Sequence, residues 1–151
     1  HVQPNLISYT TVISSLARAG HLDLAEQWFE RIGHAGLEPD TMAFGALIDA
    51  HSRRGDVSGA AAWLQRMEDG GVSPRVVEFN HLLKACERVE PRPVEYVEGL
   101  LRAMVSREVQ PDRGTVAVVG RVLGGRRLQE LCEELGIDCD AVLRQDTHWL
   151  A

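Results

Sequence analysis

Arg18, Arg53 and Arg88 stand at steps of 35 residues along the chain. A guanidinium stays charged at any physiological pH and offers a planar fork of donors that matches phosphate oxygens. Three of them in register predict a ladder along one side of a repeating structure, able to follow a phosphate backbone. The same residues also suit the C-terminal ends of helices, where positive charge complements the macrodipole. Both explanations stand at this point. Catalytic chemistry finds no comparable support. His1, His21, His34, His51, His81 and His148 form no H-x-E or HExxH motif, and no cluster of carboxylates suggests a metal-dependent nuclease. Gly124-Gly125-Arg126-Arg127 lacks the Lys-Ser/Thr ending of a phosphate-binding loop and reads as a helix break. Cys132, Cys139 and His148 lack the fourth ligand and the tight spacing of a zinc site. No catalytic residue, metal or cofactor is expected.

Around these residues the composition is 44% hydrophobic, 25% charged and 5% aromatic over 151 residues, with a net charge of −6. A dedicated nucleic-acid binder carries a basic footprint, so the balance disfavours that role unless positive charge is segregated onto one face. No apolar run approaches the roughly 18 residues of a membrane span, and no direct membrane insertion is expected. Cys86, Cys132 and Cys139 are an odd, widely spaced set without a CxxC pair. They predict a reduced compartment with no disulfide, with Cys86 and Cys132 packed in the core. Val2-Gln3-Pro4-Asn5 resembles the end of a repeat and His1 is not an initiator Met, so a longer parent with its targeting segment upstream or removed is expected.

The elements that position the arginines follow from a recurring phrase: Pro4-Asn5, Pro39-Asp40, Pro74-Arg75 and Pro111-Asp112. A period of this length signals stacked supersecondary units. Aligned on that phrase, the fourth position is Tyr9, Phe44 and Phe79, and the seventh and eighth are Val12-Ile13, Leu47-Ile48 and Leu82-Leu83. Apolar residues three and four apart predict an amphipathic first helix in each unit. Gly20 and Gly55 then stop it, and a second helix starts near Asp23 or Ser58. Asp23-x-x-Glu26 has the form of a capping box. Trp28 and Trp63 are expected in the core. In the third unit Glu90-Pro91-Arg92-Pro93 replaces the glycine turn and places a two-residue insertion between helices. Beyond Asp112 the pattern decays into a short helix over 115–123, a helix over 126–135 closed by Gly136, and a final helix from Asp140. Residues 1–5 should therefore close a preceding repeat, 6–40, 41–75 and 76–112 form three repeats, and 113–151 form a degenerate repeat and cap. The predicted fold is all-α: a right-handed α-solenoid of helix-turn-helix repeats with a degenerate C-terminal capping region.

Units of this length with Tyr or Phe at position four, Gly at fifteen, Ala at twenty and Gly-(Leu/Val)-x-Pro-Asp at the end resemble pentatricopeptide repeats. The tetratricopeptide repeat, a protein-binding solenoid, is the nearest rival, but its usual first-helix Trp and Gly-Tyr are missing. The resemblance implies one RNA base per unit, read by positions five and thirty-five and sandwiched by position two. Carried onto this sequence, the base-contacting pairs are Thr10 with Asp40, Gly45 with Arg75, and Asn80 with Asp112. The sandwiching residues are Ile7, Met42 and Val77. By the family's code Thr-Asp favours guanine, Asn-Asp favours uracil, and Gly-Arg leaves its nucleotide unspecified. Asn5, Asp40 and Asp112 are equally explained as helix N-caps. The His-x-Glu and CxxC of the deaminase domain appended to some family members are absent. The implied function is non-catalytic binding of single-stranded organellar RNA, in chloroplast or mitochondrion, with Arg18, Arg53 and Arg88 on phosphates. The alternative is a structural subunit that holds protein in a large organelle assembly, such as a ribosome or an energy-converting membrane complex.

Overall fold

The structure, a computed structural model, describes residues 4–145, and among the described residues there is no strand. The chain divides into two compact units, with the division between Pro74 and Arg75.

The first unit holds α1 (Leu6–Arg18), α2 (Leu22–His34), α3 (Thr41–Arg53) and α4 (Val57–Asp69). Each first helix starts on an extended N-cap residue whose side-chain oxygen accepts an otherwise orphaned N–H. Asn5 takes that of Ser8 and Asp40 that of Ala43, both at 3.0 Å. The chain leaves α1 and α2 through Gly20 and Gly36, whose φ values of +86° and +73° are strained for any residue with a Cβ. α1 packs on α2 and α3, and α3 packs on α4. Phe29 of α2 is the hub, with Phe44 and Trp63 edge-on at centroid distances of 4.9 and 4.8 Å.

Two local expectations need correction. Trp63 is buried, but Trp28 is only half-buried; it stacks under the Arg31 guanidinium at 4.4 Å while its neighbour Phe29 fills the core. α2 starts at Leu22 with His21 as N-cap and no side-chain cap. The capping box fails because Glu26 is engaged elsewhere: its Oε1 accepts from Trp63 Nε1 at 3.2 Å and faces His51 Nε2 at 2.9 Å. His51 Nδ1 lies 2.8 Å from Asp56 Oδ2, so α2, α3 and the start of α4 are tied through one imidazole. A bidentate Arg66–Glu30 pair, at 2.5 and 3.0 Å, joins α4 to α2.

The second unit holds α5 (Val76–Glu87), α6 (Val94–Ser106), α7 (Arg113–Leu123), α8 (Gly125–Leu135) and α9 (Cys139–Arg144). The Glu90–Pro93 insertion lies between α5 and α6, and beyond it Val97, Leu101 and Met104 are buried against α5 and α7. The corresponding turn after α6 uses Glu108 at φ 58°, where the first two repeats have Gly36 and Gly71. α6 and α8 are joined by Arg127, which spans Glu98 at 2.6 and 2.8 Å and Glu134 at 3.1 Å.

α7 starts two residues before the expected Thr115, because Asp112 caps it. α9 is capped by Asp138 rather than Asp140, through a 2.9 Å bond from Ala141 N–H. The expectation of three unbonded cysteines is overturned: Cys132 and Cys139 form a disulfide with a Cα–Cα distance of 6.3 Å. The left-handed turn at Gly136 (φ 71°, ψ 28°) folds the chain back so that α9 meets the end of α8. Cys86 is buried and unbonded, as expected, and burial pushes its thiol up to about 11. His148 of the rejected zinc set lies outside the described residues. Among the described residues no helix is long and apolar enough to cross a membrane, and no group of His, Cys, Asp and Glu is arranged to hold a metal.

Candidate functional site

Position thirty-five of a repeat is also the N-cap of the next first helix, so any residue there answers to two demands. In the first repeat Asp40 Oδ1 accepts the Ala43 N–H at 3.0 Å and also faces Thr10 Oγ1 at 3.4 Å. The second contact is long for an O–H···O bond. Thr10 is a buried hydroxyl on an otherwise apolar face of α1, and the contact turns it towards the carboxylate.

In the third repeat the equivalent pair is tighter. Asn80 Nδ2 donates to Asp112 Oδ1 at 3.0 Å. Thr115, fully buried in the first turn of α7, brings its Oγ1 to 2.7 Å from Asn80 Oδ1 and accepts the Asp112 N–H at 3.1 Å. Asp112 Oδ1 also accepts the Thr115 N–H at 2.8 Å. Burial alone raises the Asp112 pKa, but the bonds from Thr115, Asn80 and the Gly114 N–H outweigh it and hold the carboxyl below its ordinary value. A Cβ on Gly114 would lie 3.2 Å from Asp112 Oδ1 and 3.5 Å from Asn80 Nδ2, so this glycine fits closely against the pair.

The second repeat supplies Gly45, which has no side chain, and Arg75. Arg75 cannot accept a hydrogen bond, so it cannot cap α5 as an Asp does. Glu78 compensates from three residues on: its Oε2 accepts the Arg75 N–H at 2.8 Å while Oε1 takes Arg75 Nη2 at 3.0 Å. Glu78 is 1% exposed, and its pairing holds the Arg75 guanidinium and pushes that group's pKa further up.

Ile7, Met42 and Val77 occupy the second residue of α1, α3 and α5 and are 74%, 60% and 45% exposed. Gly114 takes that place in α7 and brings no side chain. Arg18 and Arg53 are exposed in the last turns of α1 and α3, and Arg88 is the exposed residue that ends α5. Arg53 is paired with Asp49 at 2.8 Å. Two functional candidates escaped the sequence reading, Glu78 and Thr115. Each stands three residues after the Pro-Asp-like phrase, and that spacing was the available signal.

A family profile described as pentatricopeptide repeat-containing protein matches residues 8–127. Among solved structures, the chain is similar to the pentatricopeptide repeat protein PPR10 in complex with an 18-nt psaJ RNA element, with a TM-score of 0.72 and 24% identity over 93% of this chain. A Cys-to-Ser variant of PPR10 with the same RNA element gives the same figures. PPR10 from maize gives a TM-score of 0.61 and 24% identity over 90% of this chain. These likenesses identify the fold as an all-α solenoid of helical repeats. This chain spans about a fifth of each solved protein, 21% or 20% of its length. No curated protein matches it.

Proposed function

The chain belongs to the pentatricopeptide repeat family, and from that premise we propose that it binds single-stranded RNA without catalysing a reaction on it. Processing, stabilisation or translation of organellar transcripts is the setting this reading implies. The observation that carries it is the exposure of Ile7, Met42 and Val77 at one position of three consecutive first helices, although all three are apolar. Exposed apolar side chains repeated at one register offer contacts to base faces, and stacking on such contacts contributes about 1–3 kcal/mol per base. The polar pairs Thr10–Asp40 and Asn80–Asp112 support the reading by supplying donors and acceptors for base edges. The neighbours PPR10, solved with an RNA element, add the fold-level analogy.

The test is fluorescence anisotropy with 12-nucleotide single-stranded RNAs at low salt. Replacing Ile7, Met42 and Val77 together by Ser should weaken binding at least tenfold while helicity is retained. Reversing Arg18, Arg53 and Arg88 to Glu should weaken it further and flatten a salt slope of about −2. Wild-type protein that ignores RNA overturns the reading. The net charge of −6 and the Arg53–Asp49 pair favour the second reading, a protein-binding subunit of a larger assembly. Under that reading the arginine reversal leaves RNA binding unchanged because there is none to lose.

A further inference from the structure

We propose that Thr115 is a specificity-determining positioning residue, which fixes the orientation of the Asn80 amide and so decides what the Asn80–Asp112 pair presents to a base. The inference rests on the RNA-binding reading above. A primary amide has a donor end and an acceptor end of nearly the same shape, and an unsupported Asn can offer either. Here Asp112 sets the choice from one side and Thr115 supports it from the other. Asp112 Oδ1 can only accept, so the amine end must face it, at 3.0 Å. Thr115 Oγ1 already accepts the Asp112 N–H at 3.1 Å, and its own proton lies between two acceptors, Asn80 Oδ1 at 2.7 Å and Asp112 Oδ1 at 3.0 Å, with the amide oxygen the nearer. Thr115 is completely buried, so no water competes for that proton.

The closed set leaves a defined remainder. The second Nδ2 proton of Asn80 is a free donor. Asp112 Oδ1 is surrounded by Asn80 Nδ2, the Thr115 N–H and the Thr115 hydroxyl, so Oδ2 is the acceptor that remains. A donor beside an acceptor complements a base edge that pairs a carbonyl with a ring N–H, as uracil does. Cytosine presents a ring lone pair at that place, and the carboxylate repels it. If the amide could turn over, its oxygen would meet the cytosine amine and the discrimination would narrow. The first repeat has Ala43 at the place of Thr115 and no such lock on Thr10.

The experiment compares 12-nucleotide oligouridine with oligocytidine on the full chain, by anisotropy, for wild type, Thr115→Ser and Thr115→Val. Wild type should prefer oligouridine. Thr115→Val keeps the side-chain shape but deletes the hydroxyl, and should shrink the preference ratio by roughly two- to tenfold, the worth of one net hydrogen bond. Thr115→Ser should restore it, which a packing role for the methyl group would not do. Thr115→Ala replaces the valine variant if circular dichroism shows that valine is not accommodated. A ratio unchanged in Thr115→Val, or lost equally in Thr115→Ser, overturns the positioning role while leaving RNA binding intact. Wild-type protein without affinity for either RNA overturns the RNA reading itself, and this inference with it.

Discussion

At the scale of single residues, the glycines separate what propensity alone predicts from what packing imposes. Gly33 lies in α2 with nothing within 4 Å of where a Cβ would sit, so Gly33→Ala should stabilise the fold by about 1 kcal/mol, the ordinary helix-propensity gain. Gly59 is also helical, but a Cβ there would lie 2.2 Å from both His51 Nδ1 and Asp56 Oδ2. Gly59→Ala should therefore reverse the sign and lower the urea midpoint, and equal gains at the two sites would contradict the His51 contact. Glu108 holds a left-handed backbone where the other repeats use glycine, so Glu108→Gly should raise stability by roughly 1 kcal/mol in the same assay. Only part of this is legible in the sequence. The expectation that Gly20 and Gly55 stop helices needs only local chemistry, and both have positive φ. The need for Gly59 depends on His51 from another helix, and no local pattern encodes that contact. The Asp23-x-x-Glu26 signature misled for the same reason, since Glu26 finds His51 and Trp63 more rewarding than its own helix end.

At the scale of elements, the helical pairs could be read from apolar spacing and turn residues, because each helix is specified by its own segment. The exceptions lie where a distant group takes over a terminus. Apolar spacing alone opens α7 at Thr115, but Asp112 captures the Thr115 N–H and moves the start to Arg113. The Cys132–Cys139 bond is not legible in the sequence because a separation of seven positions says nothing of the reversal at Gly136. It makes a countable prediction with a thiol reagent at pH 8. The native protein should show no reactive thiol, since Cys86 is buried and its pKa is pushed up to about 11. Denaturation should expose one thiol, and denaturation with reductant three. Three thiols without reductant would exclude the bond. In hydrogen exchange, reduction should speed α9 and leave α1 to α4 unchanged.

At the scale of the whole molecule, carboxylates held by donors set the acid limit of stability. Glu30 is lowered chiefly by its bond from Arg66, Glu87 by its bond from Arg121, and Asp56 by the Gly59 N–H and then His51. Groups whose folded pKa lies below the unfolded value stabilise the native state at neutral pH. That contribution starts to fade as pH falls through the ordinary values of 4.5 for Glu and 3.8 for Asp, and is gone below the folded values. The melting temperature should stay level from pH 7 to about 5 and drop steeply towards pH 3. A level profile down to pH 3 would show that these pairs contribute nothing. Asp40 and Asp112 brace a helix start, and under the proposed RNA reading they would also face a nucleotide, which has a consequence for anyone rewriting the order of bases such an array prefers. Exchanging either aspartate for a longer or cationic side chain strips a brace from the next hairpin, at a cost of about 1 kcal/mol for each cap lost. Arg75 and Glu78 display the remedy: the replacement must travel with a glutamate three places downstream.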